Sequence, residues 1–259
     1  MKILFFGDIY GKPGRFILKN YLAELKDEFQ PDVCIANCEN IAQGRGITEK
    51  TALEILDSGI DVLTGGNHLY DKKESVKYIS EERRIVRMLN FPKQAPGNKY
   101  FLKNTTSGKK LAVVSLCGQA FMGAANSPFE ALDEYLPEIK KETNLIFVDF
   151  HAEATAEKRA FGFYFDGRVT AIVGTHTHIQ TADEDILPKG TAYITDVGMT
   201  GPHDSIIGVK KEIILDKIMT GIPNRYEVAD TGLEINAVLI EFDEITGESD
   251  SILRIKRAI

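Results

Sequence analysis

Cysteine is scarce in this chain. Cys34, Cys38 and Cys117 form no CxxC pair and are odd in number, which excludes a zinc knuckle and a disulfide framework and points to a reducing, cytoplasmic compartment. Basic charge is also in deficit. A net charge of -7 and a pI near 5.4 argue against a protein that wraps long nucleic acid, because such binding requires many phosphates to be neutralised by Lys and Arg. No apolar run is long enough for a membrane span, and the one at residues 3–6 is too short for the core of a signal peptide. The Asn104-Thr105-Thr106 glycosylation match therefore carries no meaning. Low-complexity tracts, internal repeats and Pro/Ser-rich linkers are missing too, so a single domain over residues 1–259 is expected.

What is present is an apolar content of 43%, ample for a sizeable core. Short β-branched and aromatic runs at 3–6, 33–36 and 60–63 alternate with helical patterns. The first helix begins near Pro13 and carries Leu18, Leu22, Leu25 and Phe29 on one face. A second runs from Thr48, a natural N-cap, to Gly59, and a third covers 73–82. Further strands are expected at 100–102, 111–116, 145–150, 169–173 and 192–195, with helices at 128–141, 152–161 and 209–219. Segments 235–242 and 252–256 read as an antiparallel pair. The expected fold is α/β, two mixed sheets packed face to face with helices on both outer faces.

Polar residues able to bind metal recur just after these strands. Asp8 follows the first, Glu39 and Asn40 the second, Asn67 and His68 the third, His151 the 145–150 strand, and His176 and His178 the 169–173 strand. Strand carboxyl ends are where α/β proteins assemble sites, since the loops diverge there. Four of the five histidines occupy such positions; only His203 does not. Mixed imidazole, carboxylate and amide donors suit iron, manganese or zinc better than magnesium or calcium. Seven ligands exceed one zinc site, and a bridging Glu39 could hold two cations about 3.5–4 Å apart.

Simpler readings exist for each residue alone. Asp8 could cap a helix, Gly65-Gly66-Asn67 could be a tight turn, and His151 could be structural. His176-Thr177-His178 is stronger, because alternation in an extended segment puts both rings on one side. Residues 7–12 fall one residue short of a P-loop, with Pro13 where Ser or Thr is required. Ser205 and Cys38 lie in no nucleophile elbow. Arg83, Arg84 and Arg87 read as a solvated helix end rather than as substrate contacts.

The series Gly7-Asp8, Glu39-Asn40, Gly66-Asn67-His68, His151 and Gly174-Thr175-His176-Thr177-His178 resembles the calcineurin-like metallophosphoesterase superfamily over nearly the whole chain. Asn37-Cys38-Glu39-Asn40 and Asp196-Val197-Gly198-Met199-Thr200-Gly201-Pro202 point to its small bacterial YmdB-type branch, described as 2′,3′-cyclic nucleotide phosphodiesterases. Tyr10 stands where most superfamily members carry histidine, and Glu39 where most have Asp. The resemblance implies Asn40 as the replacement ligand. One metal would take Asp8, Glu39, Asn40 and His178, the other Glu39, Asn67, His151 and His176. Iron is the implied metal, with manganese as surrogate, and His68 the implied general acid.

The chemistry expected is in-line attack on phosphorus by a hydroxide held between the metals, with a cyclic nucleotide or another phosphodiester as small-molecule substrate. Asp71 either orients His68 or begins a helix; the cap is the preferred reading. A phosphomonoesterase or nucleotidase with the same metals, and a regulatory, RNA-associated protein, are the alternatives. Self-association is compatible with the sequence but not legible in it.

Overall fold

The computed structural model describes residues 1–105 and 107–259; Thr106, the last residue of the glycosylation match, lies outside the described residues. The first half alternates strands β1 (Lys2–Phe6), β2 (Asp8–Ile9), β3 (Val33–Asn37), β4 (Val62–Thr64) and β5 (Ile85–Val86) with helices α1 (Gly11–Phe29), α2 (Glu49–Asp57) and α3 (Val76–Glu81). Strands β6 (Tyr100–Asn104), β7 (Lys110–Cys117), β8 (Ile146–His151), β9 (Ala171–Thr175), β10 (Asp185–Ile186) and β11 (Ala192–Ile194) follow, with α4 (Pro128–Glu142) and α5 (Thr155–Phe165) between them. The chain ends with β12 (Met199–Pro202), α6 (Lys211–Thr220) and the hairpin β13 (Leu233–Phe242) and β14 (Ser249–Ala258).

One sheet runs β2-β12-β13-β1-β3-β4-β5, with β14 also paired to β13; the other runs β10-β11-β9-β8-β7-β6. Strand alternation sorts the side chains into three apolar layers. Ile3, Phe5, Val33 and Ile35 meet Val113, Phe147 and Val173 between the sheets. Their neighbours Leu4, Phe6, Cys34 and Ala36 face Ile17, Leu18, Leu22 and Ile55 of α1 and α2. On the far side Val114, Leu116 and Val148 pack on Leu132, Leu136 and Phe161 of α4 and α5. The result is helix, sheet, sheet, helix, as the sequence pattern requires.

Most expected elements stand within a few residues of their anticipated bounds. Thr48 caps α2, with the Thr48 and Thr51 side chains satisfying each other's backbone amides. Three departures matter. The short strands β2, β5, β10 and β12 were not foreseen, because two to four residues carry too little periodicity. Helix α5 starts at Thr155 rather than 152, because β8 runs on to His151 and the Ala152 amide donates to the Thr175 carbonyl at 3.3 Å. Arg87 is no part of a solvated helix end: it lies just past β5 and is 1% exposed.

Candidate metal centre

Asp8 reaches its place through a backbone approach. Its amide donates to the Gly198 carbonyl at 3.0 Å as β2 pairs with β12, and a Cβ on Gly7 would stand 1.9 Å from that same carbonyl oxygen. Only glycine allows this pairing. Asp8 caps nothing, since α1 starts after Tyr10 with no side-chain cap. Glu39 and Asn40 follow β3, Asn67 follows β4, and His151, His176 and His178 end or follow β8 and β9. All seven thus come together at one edge of the sandwich, four from one sheet and three from the other.

Two groups share Glu39. Ligand atoms of Glu39, His151 and His176 lie within 4.8 Å of one another, and so do those of Asp8, Glu39 and His178. Hydrogen bonding fixes which atoms carry lone pairs. Thr175 Oγ1 donates to Asp149 Oδ1 at 2.6 Å and so accepts from His151 Nδ1 at 2.9 Å. His151 Nε2 then faces two oxygen acceptors, Asn67 Oδ1 at 2.9 Å and Glu39 Oε2 at 3.2 Å, and the ring nitrogen Nδ1 of His176 at 3.0 Å. With the His151 proton on Nδ1, the two oxygens receive nothing from Nε2 unless a second proton or a cation stands among them. His178 Nδ1 donates to the Ile207 carbonyl at 3.0 Å, which turns its Nε2 lone pair inward, 3.9 Å from Asp8 Oδ1. That carboxylate oxygen is buried and has no hydrogen-bond partner among the described residues. Orphaned acceptors of this kind fit a pair of divalent cations.

Asn40 fits with one adjustment. Its Nδ2 donates to Glu39 Oε1 at 2.9 Å and faces His178 Nε2 at 3.0 Å, so ligation requires the amide turned over to present oxygen.

The electrostatics follow from burial. Asp8 is pushed up to about 6 by desolvation, against the opposing pull of His178 and His151. Burial would raise Glu39 as well, but the His151 ring and the His68 amide outweigh it and hold the carboxyl well below its usual range. In His151 burial disfavours the charged ring, yet Glu39, Asp8 and Asp149 raise it to about 9. His176 falls to about 3 through burial and the adjacent His151.

The His176-Thr177-His178 segment is not extended, contrary to the sequence expectation. His176 and His178 sit at φ 103° and 66°, in the left-handed region that costs about 1–3 kcal/mol for non-glycine residues. Each ring is thereby sent to a different group rather than to one side. Asp196 holds the turn: it accepts from the Thr177 amide at 3.1 Å and from the wholly buried Lys158 at 2.6 Å, while Lys158 also donates to the Thr175 carbonyl at 2.7 Å.

Sequence reasoning passed over this support. Asp149 inside the otherwise apolar run of β8, and Lys158 on the inner face of α5, were the visible signals. Asp149 also accepts from Asn37 at 2.9 Å and from Thr64 at 2.5 Å. Asp71 is not a helix cap; its carboxylate binds His68 Nδ1 at 2.8 Å and the Arg45 guanidinium. His203 stands outside the centre, between the Met199 carbonyl at 2.8 Å and Glu234 at 3.4 Å. Ser205 is spent on a turn, donating to the Pro202 carbonyl, and burial raises the Cys38 thiol far above its usual range, which opposes its thiolate.

The centre opens into a cavity of about 670 Å³ whose wall includes Tyr10, Arg45, His68, Ile207 and Tyr226. A four-layer α/β sandwich with a carboxylate shared by two His/carboxylate groups is the architecture of a metallophosphoesterase. The chain belongs to the YmdB-like protein family, whose model matches residues 4–255. It is 48% identical over 255 residues, 98% of this chain and 96% of the relative, to a protein of Bacillus subtilis named 2′,3′-cyclic-nucleotide 2′-phosphodiesterase. Its fold matches the crystal structure of a Mycoplasma pneumoniae protein described as a novel phosphatase, with TM-score 0.94, 37% identity and coverage of 100% of this chain and 93% of that one. A hypothetical protein of Thermus thermophilus matches with TM-score 0.93, 37% identity and coverage of 100% and 99%.

Proposed function

We propose that this chain, acting as one domain over residues 1–259, is a phosphodiesterase that hydrolyses 2′,3′-cyclic nucleotides at a two-metal centre. The observation that carries the reading is the sharing of Glu39 between the two groups, one wholly buried and the other open at His176, with the orphaned Asp8 Oδ1 beside it. Asp8, Glu39, Asn40 and His178 would hold one cation, and Glu39, Asn67, His151 and His176 the other. Bound there, iron or manganese would neutralise the phosphate oxygens and lower the pKa of a water. The donor set of imidazole, carboxylate and amide supports those metals over magnesium.

The protein's own part is to orient and to move a proton. His68 lies on the cavity wall with Nδ1 held by Asp71 at 2.8 Å and Nε2 at 3.3 Å from Asn67 Nδ2; as general acid it would turn Nε2 from that amide and donate its proton to a departing ribose oxygen. Asp71 positions that ring, and its bond to Arg45 places a guanidinium at the same wall. Asp149, through Thr175, keeps His151 in the tautomer that offers Nε2. A cytoplasmic location fits the three buried, unpaired cysteines and the fact that no helix among the described residues is long and apolar enough to cross a membrane.

The test is hydrolysis of 2′,3′-cyclic AMP by iron- or manganese-loaded protein, beside 3′,5′-cyclic AMP, a nucleoside monophosphate and a Glu39→Gln control. Selective turnover of the 2′,3′ ring, lost in the control, is the expected result. Turnover of the monophosphate alone would replace the reading with a phosphomonoesterase. His68→Gln should keep the metals and lose roughly 100- to 10,000-fold in turnover; an unchanged rate would remove His68 from the mechanism.

A further inference from the structure

Arg87 is a buried cation that forms no ion pair among the described residues. Its Nη1 donates to the Met88 carbonyl at 2.6 Å, but its Nε has no hydrogen-bond partner among the described residues, and the residue is 1% exposed. Burial lowers its pKa, and the groups acting the other way are the phenols of Tyr70 and Tyr135, not carboxylates. A guanidinium withdrawn from water without a counter-charge is a costly arrangement.

The cavity that Arg87 lines gives the arrangement a purpose. It holds about 270 Å³ and shares no lining residue with the metal-centre cavity. Lys99 enters it with its ammonium on the Tyr135 hydroxyl, 4.7 Å from the centroid of that ring, and is paired with no carboxylate among the described residues. Lys93 is paired with Glu134 at 3.3 Å, and Glu130 is the second carboxylate on the wall, so three cations face two anions. Ser127, the N-cap of the fifteen-residue α4, completes the rim and brings the positive end of that helix to the same space.

We propose that this cavity is a second ligand site, one that takes a small tetrahedral oxyanion of the phosphate class between the Arg87 guanidinium and the Lys99 ammonium. The planar fork of Arg87 suits two oxygens of such an anion, and Lys99 supplies a second, point-like charge. The volume suits a phosphate with a small substituent. The site is independent of the reading of the metal centre.

The experiment is calorimetric titration of the manganese-loaded protein with inorganic phosphate. Wild type should bind two phosphates, of which Glu39→Gln loses one. Lys99→Met should weaken the other at least tenfold while hydrolysis at the metal centre stays within twofold of wild type, and Arg87→Met, checked for folding by circular dichroism, should remove it. Displacement of that phosphate by glycerol 3-phosphate would identify a phosphomonoester site, and failure to displace it a site for the free ion. A wild type that binds phosphate only at the Glu39-dependent site, or a folded Arg87→Met and a Lys99→Met that both keep full affinity, would overturn the proposal.

Discussion

Gly66→Ala isolates the placement of Glu39. A Cβ on Gly66 would lie 2.2 Å from Glu39 Oε2, 2.7 Å from its Cδ and 2.7 Å from His151 Cε1. The oxygen would have to retreat by roughly 1 Å to reach ordinary contact. Metal sites tolerate only about 0.2 Å in ligand distance, and a misplacement of about 1 Å in an active site can cost about 100-fold. The backbone itself does not oppose alanine, because Gly66 is not in the left-handed region. The expected outcome is metal content below two per chain by elemental analysis and kcat/KM for 2′,3′-cyclic AMP down by about 100-fold, with the metal-free protein still folded by circular dichroism but less stable by about 1–3 kcal/mol from overpacking at the buried Glu39 and His151. Gly123→Ala, at an exposed glycine with nothing within 4 Å of its added Cβ, is the matched control. A Gly66→Ala protein that keeps both metals and wild-type turnover would refute the placement of Glu39 as the shared ligand.

Thr175→Val removes the hydroxyl between Asp149 and His151 and should weaken metal binding about 10- to 100-fold in a chelator competition; equal affinity would mean that packing alone orients the ring. Lys158→Met strands the buried Asp196 carboxylate and should cost about 3–5 kcal/mol in urea unfolding, a loss that the double variant with Asp196→Asn partly restores; an unchanged midpoint would dismiss the ion pair as structural support. Metal loading should release protons. His151 is raised to about 9 in the metal-free protein, so it is charged at neutral pH, and ligation requires its neutral form. Binding near pH 7.5 should therefore expel about one proton and weaken as the pH falls, measured as the buffer dependence of the binding enthalpy; no release, or tighter binding in acid, would contradict it.

The layers and the clustering of the candidate ligands were legible in the sequence for the same reason. Buried parallel strands need continuous apolar runs, so the polar residue that ends each run, such as Asn67 or His151, stands out against it. What escaped depends on partners far along the chain. Strand β2 exists because residues 8 and 9 pair with 199 and 200, and no local pattern announces a two-residue strand. The left-handed turns of His176 and His178 are held by Lys158 and Asp196, which lie 38 residues apart on either side of them. Arg87 looked like one more surface charge because sequence neighbours, not burial, define a basic cluster.

By the resemblance, Tyr10 stands where most superfamily members carry histidine, and the structure shows what its ring does there. Its ring is 6% exposed and stands edge-on to His178 at 5.3 Å between centroids. A Cβ on Gly44 would meet that ring at 2.8 Å and one on Gly208 at 2.4 Å. The exchange of one donor for another is thus bound up with a wall that two glycines were needed to clear. Restoring histidine at position 10 alone would offer a ring too small to fill the space, beside the asparagine proposed as ligand in its stead. Relatives are expected to keep or lose Tyr10, Gly44 and Gly208 together, because a side chain at either glycine would collide with the Tyr10 ring.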